Sequence, residues 1–411
     1  MAERLPVRRH FVRLVLRCET TPAMVAVGRS VLLPLLVLLA LGWPRGAALA
    51  SGGPATDAYD DVSKTAAVDL HLFGDLYVLH NFNDPASRLN QLREFDFNSN
   101  QASLSYARIT IAHHPQLIGF RLDLGLGDTA QIYEQQDPAA TAHPELARAL
   151  SHVEQAFATV IVPVKPKLEV DVGRFATPMG FEDNESLSNW PYSRSLLYSW
   201  AEPSLHTGLR LSCQATDTLA FSAFWVNGWN SIVVDGNDMR TLAAAGAWAL
   251  APGIAVIVVD MAGPERPPTQ LSGALSFRNL LAAYGTYEAT KQLSFALAFD
   301  YGNDRANGGV DWWGTAGYAR LQARPWLAGA LRAEYYADPS GFMTGTPQRV
   351  GEVTTTLEVQ RVTERLRLVA RLEYRHDQSS ALVFDSAIPA VRESRQDTLT
   401  LALLAAFRSS D

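Results

Sequence analysis

The chain has 411 residues, 47% hydrophobic and 19% charged, with a formal net charge of −7. That length suits two or three soluble domains or one large barrel, and the negative balance lacks the basic face that a nucleic-acid partner requires. The only continuous apolar run, Val31 to Leu41, is shorter than the ~18–20 residues a transmembrane helix needs.

The N-terminus reads as an export signal. Arg29 precedes the apolar run and Ala48-Leu49-Ala50 follows it as a small-x-small cleavage pattern, so residues 1–50 are expected to be a cleaved signal peptide. Met1–Ala23 carries five arginines and makes the charged region too long, whereas Met24 would begin a conventional signal. Met1–Ala23 is therefore expected to be an over-called start. Cleavage removes seven of 35 basic and two of 42 acidic residues, leaving 28 against 40, a net charge near −12. It also removes Cys18, so Cys213 stands alone, no intramolecular disulfide forms, and the thiol reads as a small apolar strand residue.

Residues 51–66 form a short Gly/Pro/Ser-rich linker, and one pattern then repeats from residue 67 to residue 407. An alternating run of about ten residues meets a short polar turn, a second run follows, and a longer polar connection comes next. The expected strands are Val68–His80, Ala102–Ala112 (less cleanly patterned), Leu117–Leu126, His152–Val162 and Lys167–Thr177. After them come Leu205–Gln214, Leu219–Trp229, Thr241–Leu250, Ile254–Met261, Leu271–Tyr287 and Gln292–Tyr301. Val310–Gln322, Trp326–Ala337, Gly351–Gln360, Arg365–His376 and Asp397–Phe407 complete the set. The connection Gly127–Ser151 holds a short helix at Pro144–Leu150. Gln292–Tyr301 is the cleanest strand, with Leu293, Phe295, Leu297, Phe299 and Tyr301 on one side and Ser294, Ala296, Ala298 and Asp300 on the other.

About sixteen strands with alternating short and long connections predict an all-β fold. The architecture is a transmembrane antiparallel up-and-down β-barrel with short periplasmic turns and long outer loops. Apolar side chains then face lipid and polar ones the lumen. Tyr and Trp residues fall near strand ends, as an aromatic girdle would: Tyr77, Tyr198, Trp200, Trp225, Trp229, Tyr284, Tyr287, Tyr301, Trp312, Trp313, Trp326, Tyr335 and Tyr336. A soluble sandwich or propeller would have many strands too, without the short–long rhythm.

Several segments carry a family resemblance. They are Gly173-Arg174-Phe175-Ala176-Thr177-Pro178-Met179-Gly180-Phe181-Glu182, Asn189-Trp190-Pro191-Tyr192-Ser193-Arg194-Ser195, His206-Thr207-Gly208-Leu209-Arg210 and Val226-Asn227-Gly228-Trp229-Asn230. Leu331–Tyr335, Arg371–Asp377 and Gln396–Leu401 continue the series. Together they resemble the OmpL-like β-barrel porins of Gram-negative bacteria, over about Asp69 to Phe407. The resemblance implies an outer-membrane pore in contact with membrane lipid and small hydrophilic solutes. It implies no cofactor, and analogy with general porins suggests a homotrimer. Such barrels end on an aromatic residue read by the assembly machinery. Here Phe407 is followed by residues 408–411, read as an overhang.

In a pore, lumen charges set the field and the selectivity. Pro178–Ser204 is the longest connection, and a long loop folded inward narrows many porins. Its acids Glu182, Asp183 and Glu185 would face Arg174, Arg194 and Arg210. Arg174 falls on the apolar register of Val170 and Val172, so either Gly173 starts a bulge or Arg174 lies above the membrane. A second group, Arg332, Glu334, Arg367, Arg371, Glu373 and Arg375, is expected on two neighbouring strands. It serves either as wall-stiffening cross-strand salt bridges or as a cationic stripe guiding anions. Two further functional readings stay open: a closed or plugged barrel with a structural or adhesive role, and an outer-membrane hydrolase using Ser193 or Ser195 near His206. The hydrolase lacks a Gly-x-Ser-x-Gly elbow. No catalytic or metal site is expected.

Overall fold

The computed structural model describes residues 68–137, 143–231, 237, 239–265, 275–305 and 309–409. The expected signal peptide, linker and last two residues lie outside the described residues. No helix among those described is long and apolar enough to cross a membrane, which leaves β-strand crossing untouched.

Alternation dictates the architecture. Strands β1 (Val68–Asn81), β2 (Gln101–His113), β3 (Ile118–Leu126), β4 (Val153–Val162), β5 (Leu168–Ala176) and β6 (Leu205–Thr216) come first. β7 (Leu219–Val226), β8 (Thr241–Ala251), β9 (Ile254–Glu265), β10 (Ser276–Glu288), β11 (Leu293–Asp304) and β12 (Val310–Arg324) follow. β13 (Leu327–Asp338), β14 (Gln348–Val362) and β15 (Leu366–Ser379) lead to a small outer ribbon of β16 (Phe384–Asp385) and β17 (Arg392–Glu393), and β18 (Arg395–Arg408) ends the series. All but β16 and β17 join one closed antiparallel barrel of sixteen strands, in which β18 pairs with both β15 and β1. Closure satisfies every strand edge, which is what allows a sheet to live in hydrocarbon. The C-terminal overhang keeps pairing: the Ser409 N–H donates to the Leu70 carbonyl and the Leu70 N–H to the Ser409 hydroxyl, each at 2.9 Å, so the seam is zipped past Phe407.

Side-chain parity gives the barrel two opposite faces. Outward, Leu76, Val172, Leu242, Leu297, Leu357, Leu401 and Leu403 are all exposed. Inward, Asp75, Asp171, Asp300, Arg332, Thr354 and Arg371 are buried. A soluble sandwich would reverse this. The aromatic girdle is smaller than the sequence suggests. Trp225, Tyr287, Tyr301, Trp326 and Tyr335 face outward, whereas Tyr77, Tyr198, Trp229, Tyr284, Trp312 and Tyr336 are buried inside. Position near a strand end does not settle which way a ring points; parity does.

The poor alternation of β2 has a definite cause. The register with β1 slips between Asp75 and Leu76, so Ser105 is an extra residue, and Ser105 and Tyr106 are both buried. This β-bulge turns Ser105 inward, where its hydroxyl donates to the Phe95 carbonyl at 2.9 Å and its carbonyl accepts from Thr129 at 3.0 Å. No such slip occurs at Gly173. Pairing runs unbroken from Val172↔Leu209 through Gly173↔Gly208 to Arg174↔Thr207, although Gly173 itself has φ +141°.

Two helices fill the β3–β4 connection, α1 (Asp128–Gln136) and α2 (Pro144–Ser151). The second matches the sequence expectation, with Pro144 starting it. The first has no strong apolar stripe to announce it; it is held by burial of Ile132 and Tyr133 and by Asp128 at its start.

Candidate functional site

The segment from Pro178 to Ser204 leaves β5, folds into the barrel and returns to β6. Its first edge is apolar. Met179, Phe181, Leu196 and Leu197 join one buried cluster with Phe175, Phe224, Met261, Leu280, Trp312 and Tyr336 from the wall. A π-helical turn, Leu197–Ala201, brings the Ala201 carbonyl to the Trp312 indole N–H at 3.1 Å.

The opposite edge is polar and pinned by arginines. Arg332 is fully buried; it pairs with Glu182 at 2.8 Å and Glu352 at 2.9 Å and donates to the Ser193 carbonyl at 2.6 Å. Arg371 donates to the carbonyls of Ser186 (2.6 Å), Asn189 (2.8 Å) and Pro191 (3.1 Å). Arg375 donates to the Arg194 carbonyl at 2.6 Å and pairs with Asp377 at 2.8 Å. Carboxylates return the pattern. Glu334 accepts the N–H groups of Leu196 and Leu197, each at 2.7 Å, Glu373 accepts that of Ser193 at 2.9 Å, and Glu182 accepts that of Ser195 at 2.6 Å. A loop with no regular ladder thus has its backbone groups satisfied by wall charges, which is what burial of irregular backbone demands.

This arrangement revises one sequence expectation. Arg332 and Glu334 on β13 and Arg367, Arg371, Glu373 and Arg375 on β15 are not on neighbouring strands, because β14 lies between them. The acids that link them are its Glu352 and Glu358: Arg332 reaches Glu352, and Arg371 reaches Glu358 at 2.7 Å. Sequence reasoning passed over both, although Glu352, Thr354, Thr356 and Glu358 form a clear polar face opposite Val353, Leu357 and Val359.

The other candidates are dispersed. Glu185 pairs with Arg108 of β2, which the sequence reading did not single out. Asp183 caps the loop internally, its side chain accepting the Glu185 N–H at 2.8 Å. Arg194 donates to the Tyr192 carbonyl at 3.0 Å and stacks over Phe95 with 4.5 Å to the ring centre. Arg210 pairs with Asp171 of the adjacent strand at 2.7 Å. Arg174 keeps the register of Val170 and Val172, and its guanidinium donates to the Leu150 carbonyl of α2 at 2.7 Å. Its recorded hydrogen bond therefore belongs to the β3–β4 connection. His206 contacts the Thr177 hydroxyl at 3.2 Å, and neither Ser193 nor Ser195 is paired with it.

Two more connections fold against this loop. Arg93, between β1 and β2, pairs with Asp96 at 2.6 Å and Asp377 at 2.9 Å, and the Trp200 indole donates to the Leu92 carbonyl at 3.2 Å. From the start of α1, Asp128 accepts Asn98 at 2.9 Å and Tyr77 at 3.3 Å, and burial pushes its carboxyl up to about 6.

The loop's return also carries a buried carboxyl contact. The Glu202 carboxyl lies against that of Asp300 on β11. Glu202 Oε2 and Asp300 Oδ2 are buried with no N–H or hydroxyl donor in reach, so one of the two must carry the proton. Burial, reinforced by the Asp300 charge, holds Glu202 well above the usual carboxylate range. Gly180 lies against this group with φ +85°, and a Cβ there would overlap the Glu202 carboxylate. Gly180→Ala is expected to cost about 1–3 kcal/mol of loop docking, read as a lower temperature for loss of the folded, heat-modifiable gel band. An unchanged temperature would show the contact to be slack.

The family model described as "Putative beta-barrel porin-2, OmpL-like" matches residues 68–407. Among solved structures, the anion-selective porin from Comamonas acidovorans aligns with TM-score 0.57 at 12% identity, over 84% of this chain and 100% of that one. The outer membrane channel DcaP of Acinetobacter baumannii aligns with TM-score 0.53 at 10% identity, over 84% and 97%. The trimer form of Vibrio cholerae OmpT aligns with TM-score 0.50 at 10% identity, over 84% and 99%. These likenesses are of fold. A comparison with curated protein sequences returned no match.

Proposed function

Because the chain belongs to the OmpL-like β-barrel porin-2 family, we propose that it is a passive diffusion pore for small hydrophilic solutes whose bore is set by the Pro178–Ser204 loop. Membership makes it a porin-like channel of the outer membrane, in contact with lipid along its apolar face, and porins are channels rather than enzymes. The observation that carries the finer reading is the double anchoring of that loop, apolar against Phe224, Met261 and Trp312 and charged against Arg332, Arg371 and Arg375. A segment held on both edges keeps a fixed aperture. Glu182, Glu185, Arg194 and Arg332 hold the loop in place on this reading, and Arg210 and Arg367 lie on the wall beyond it. Arg174 belongs to the outer cap.

The remaining elements follow the same biology. Residues 1–50 direct export and are cleaved, the assembly machinery inserts the barrel by reading the closing strand β18, and three copies associate as in the trimer form of OmpT. No cofactor enters. The test is single-channel recording of the refolded chain, residues 51–411, in a planar bilayer. Steady unitary steps are expected. One observation favours a second reading, a plugged structural barrel: three connections fill the outer half, with Arg93 and Tyr133 buried among them. Silence from folded, inserted protein would decide for that reading.

A further inference from the structure

Resting on the channel reading above, we propose that the periplasmic half of the lumen is a selectivity vestibule for small anions, in which Arg320, Arg367 and Arg210 present guanidinium groups to the passing solute. The first part of the site is a cluster with too few acids. Glu358 of β14 receives Arg320 from β12 at 2.7 Å, Arg371 from β15 at 2.7 Å, and Arg367 from β15 at 4.0 Å. One carboxylate thus serves three cations. The other acids of this wall are committed elsewhere: Glu373 to the loop N–H of Ser193 and to the Thr356 hydroxyl at 2.7 Å, Glu352 to Arg332, and Glu334 to the N–H groups of Leu196 and Leu197.

Of the three cations, Arg371 is spent on loop carbonyls, while Arg320 and Arg367 are not. Arg320 donates from Nη2 to Gln322 and Glu358, and Arg367 donates from Nε to Gln360 at 3.1 Å. A guanidinium has five N–H donors in a fixed fork, so each keeps donors for a solute. Exposure decides which charge the lumen water meets. The Arg367 and Arg320 side chains are 34% and 16% exposed, and Glu358 is 2% exposed.

Arg210 repeats the arrangement on β6. Its side chain is 21% exposed while its partner Asp171 is 1% exposed, and the guanidinium lies over Phe157 and Phe175, 5.3 and 5.1 Å from their ring centres. Two rings and one bond hold the cation at the surface with its carboxylate beneath. The inward positions of β7 and β8 in between, Ala220, Ser222, Ala245 and Ala247, are uncharged. The acids nearer the rim are Asp69, which pairs with His114 at 3.0 Å, Glu169, one residue into β5, and Glu288, exposed at the end of β10. Deeper in this half an anion meets the guanidiniums of Arg367, Arg320 and Arg210, and their partner carboxylates Glu358 and Asp171 lie behind them. Low-dielectric walls focus such a field.

The experiment uses the refolded mature chain in a planar bilayer under a roughly tenfold KCl gradient, where exposed charges are only partly screened. The reversal potential is expected to have the sign of chloride permeation, with a permeability ratio several-fold above unity. The double variant Arg320→Gln/Arg367→Gln leaves the Arg371–Glu358 pair in place and is expected to lower that ratio at least about twofold, with steps in 1 M salt nearly unchanged. Arg367→Gln alone, at the most exposed position, gives the same direction if the double variant does not fold. Open steps with a cation-sign or zero reversal potential would overturn the anion assignment and leave the channel intact. A folded variant with an unaltered ratio would also overturn it. Absence of any steps would instead sink the channel reading on which it rests.

Discussion

Arg332→Ala is expected to free the inward loop and raise single-channel conductance, with a marked rise in current noise. The guanidinium is fully buried and ties three parts of the molecule together: Glu182 of the loop, Glu352 of β14 and the loop carbonyl of Ser193. Removing it leaves Glu182 buried without its cation and Glu352 with Arg375 alone at 3.7 Å, and breaking a buried pair from one side typically costs roughly 3–5 kcal/mol. The barrel does not depend on that contact, since its closure runs through backbone ladders on both sides of every strand. The loss therefore falls on loop docking, and protease sensitivity inside Pro178–Ser204 should rise while unheated protein keeps its folded gel band and loses it at a lower temperature. Arg361→Ala is the control; Arg361 is exposed at the end of β14, where substitutions usually stay within about 0.5 kcal/mol. Conductance and noise equal to wild type would show that the apolar edge alone holds the loop.

The barrel was legible in the sequence because its main determinant is local. A period of two, repeated between short and long polar stretches, specifies strand direction, face and neighbour at once, and the sixteen barrel strands follow it. The signal weakened where the chain departs from that period. β2 looked irregular because Ser105 is an inserted residue, and only its pairing partner reveals which side the following residues take. At Gly173 the pattern fails for the opposite reason: Arg174 breaks the polarity without any slip in register, so of the two explanations, a bulge and a position above the membrane, the bulge falls. Leu219 to Trp229 was read as one strand, yet pairing stops at Val226, and Trp229 turns inward to meet Trp312 edge-on with ring centres 6.0 Å apart.

The site was legible in part, and the division is physical. Which residues face the interior follows from parity, so the arginines of β13 and β15 could be picked out from the chain alone. What they touch is set by a loop packed across the barrel, and no sequence period encodes that. Arg371 meets Ser186 and Asn189 more than 180 residues away, through backbone carbonyls that carry no residue-type signature. Glu352 and Glu358 stood in an alternating polar face, and placing β14 between β13 and β15 would have exposed them as the linking acids. Arg93 and the Glu202–Asp300 contact had no comparable signal, because each joins a connection to a distant element.

Glu202→Gln is expected to flatten the pH dependence of loop docking and to make the protein more heat-resistant than wild type at pH 8, with little difference at pH 4. In the unfolded chain Glu202 gives up its proton near its ordinary value of 4.5, whereas burial and the Asp300 charge keep it protonated well above that in the folded protein. A carboxyl whose folded value is raised favours the folded state fully only below the unfolded value. As pH climbs past about 4.5 the unfolded chain releases a proton that the folded one retains. Docking then weakens by roughly 1.4 kcal/mol per pH unit until the folded group ionises as well. Glutamine keeps a hydrogen-bond donor toward Asp300 at every pH and has no proton to lose, so the part of the slope due to Glu202 disappears. Asp128, raised to about 6, adds a slope of the same sign between 3.8 and 6. That slope is common to both proteins and cancels in the comparison. The measurement is the temperature of the heat-modifiable band shift from pH 4 to pH 9, together with conductance over the same range. Wild type should lose heat resistance and gain current noise toward the alkaline end. Profiles that run parallel for the two proteins would mean that Glu202 is ionised in the folded state and that some other group supplies its donor.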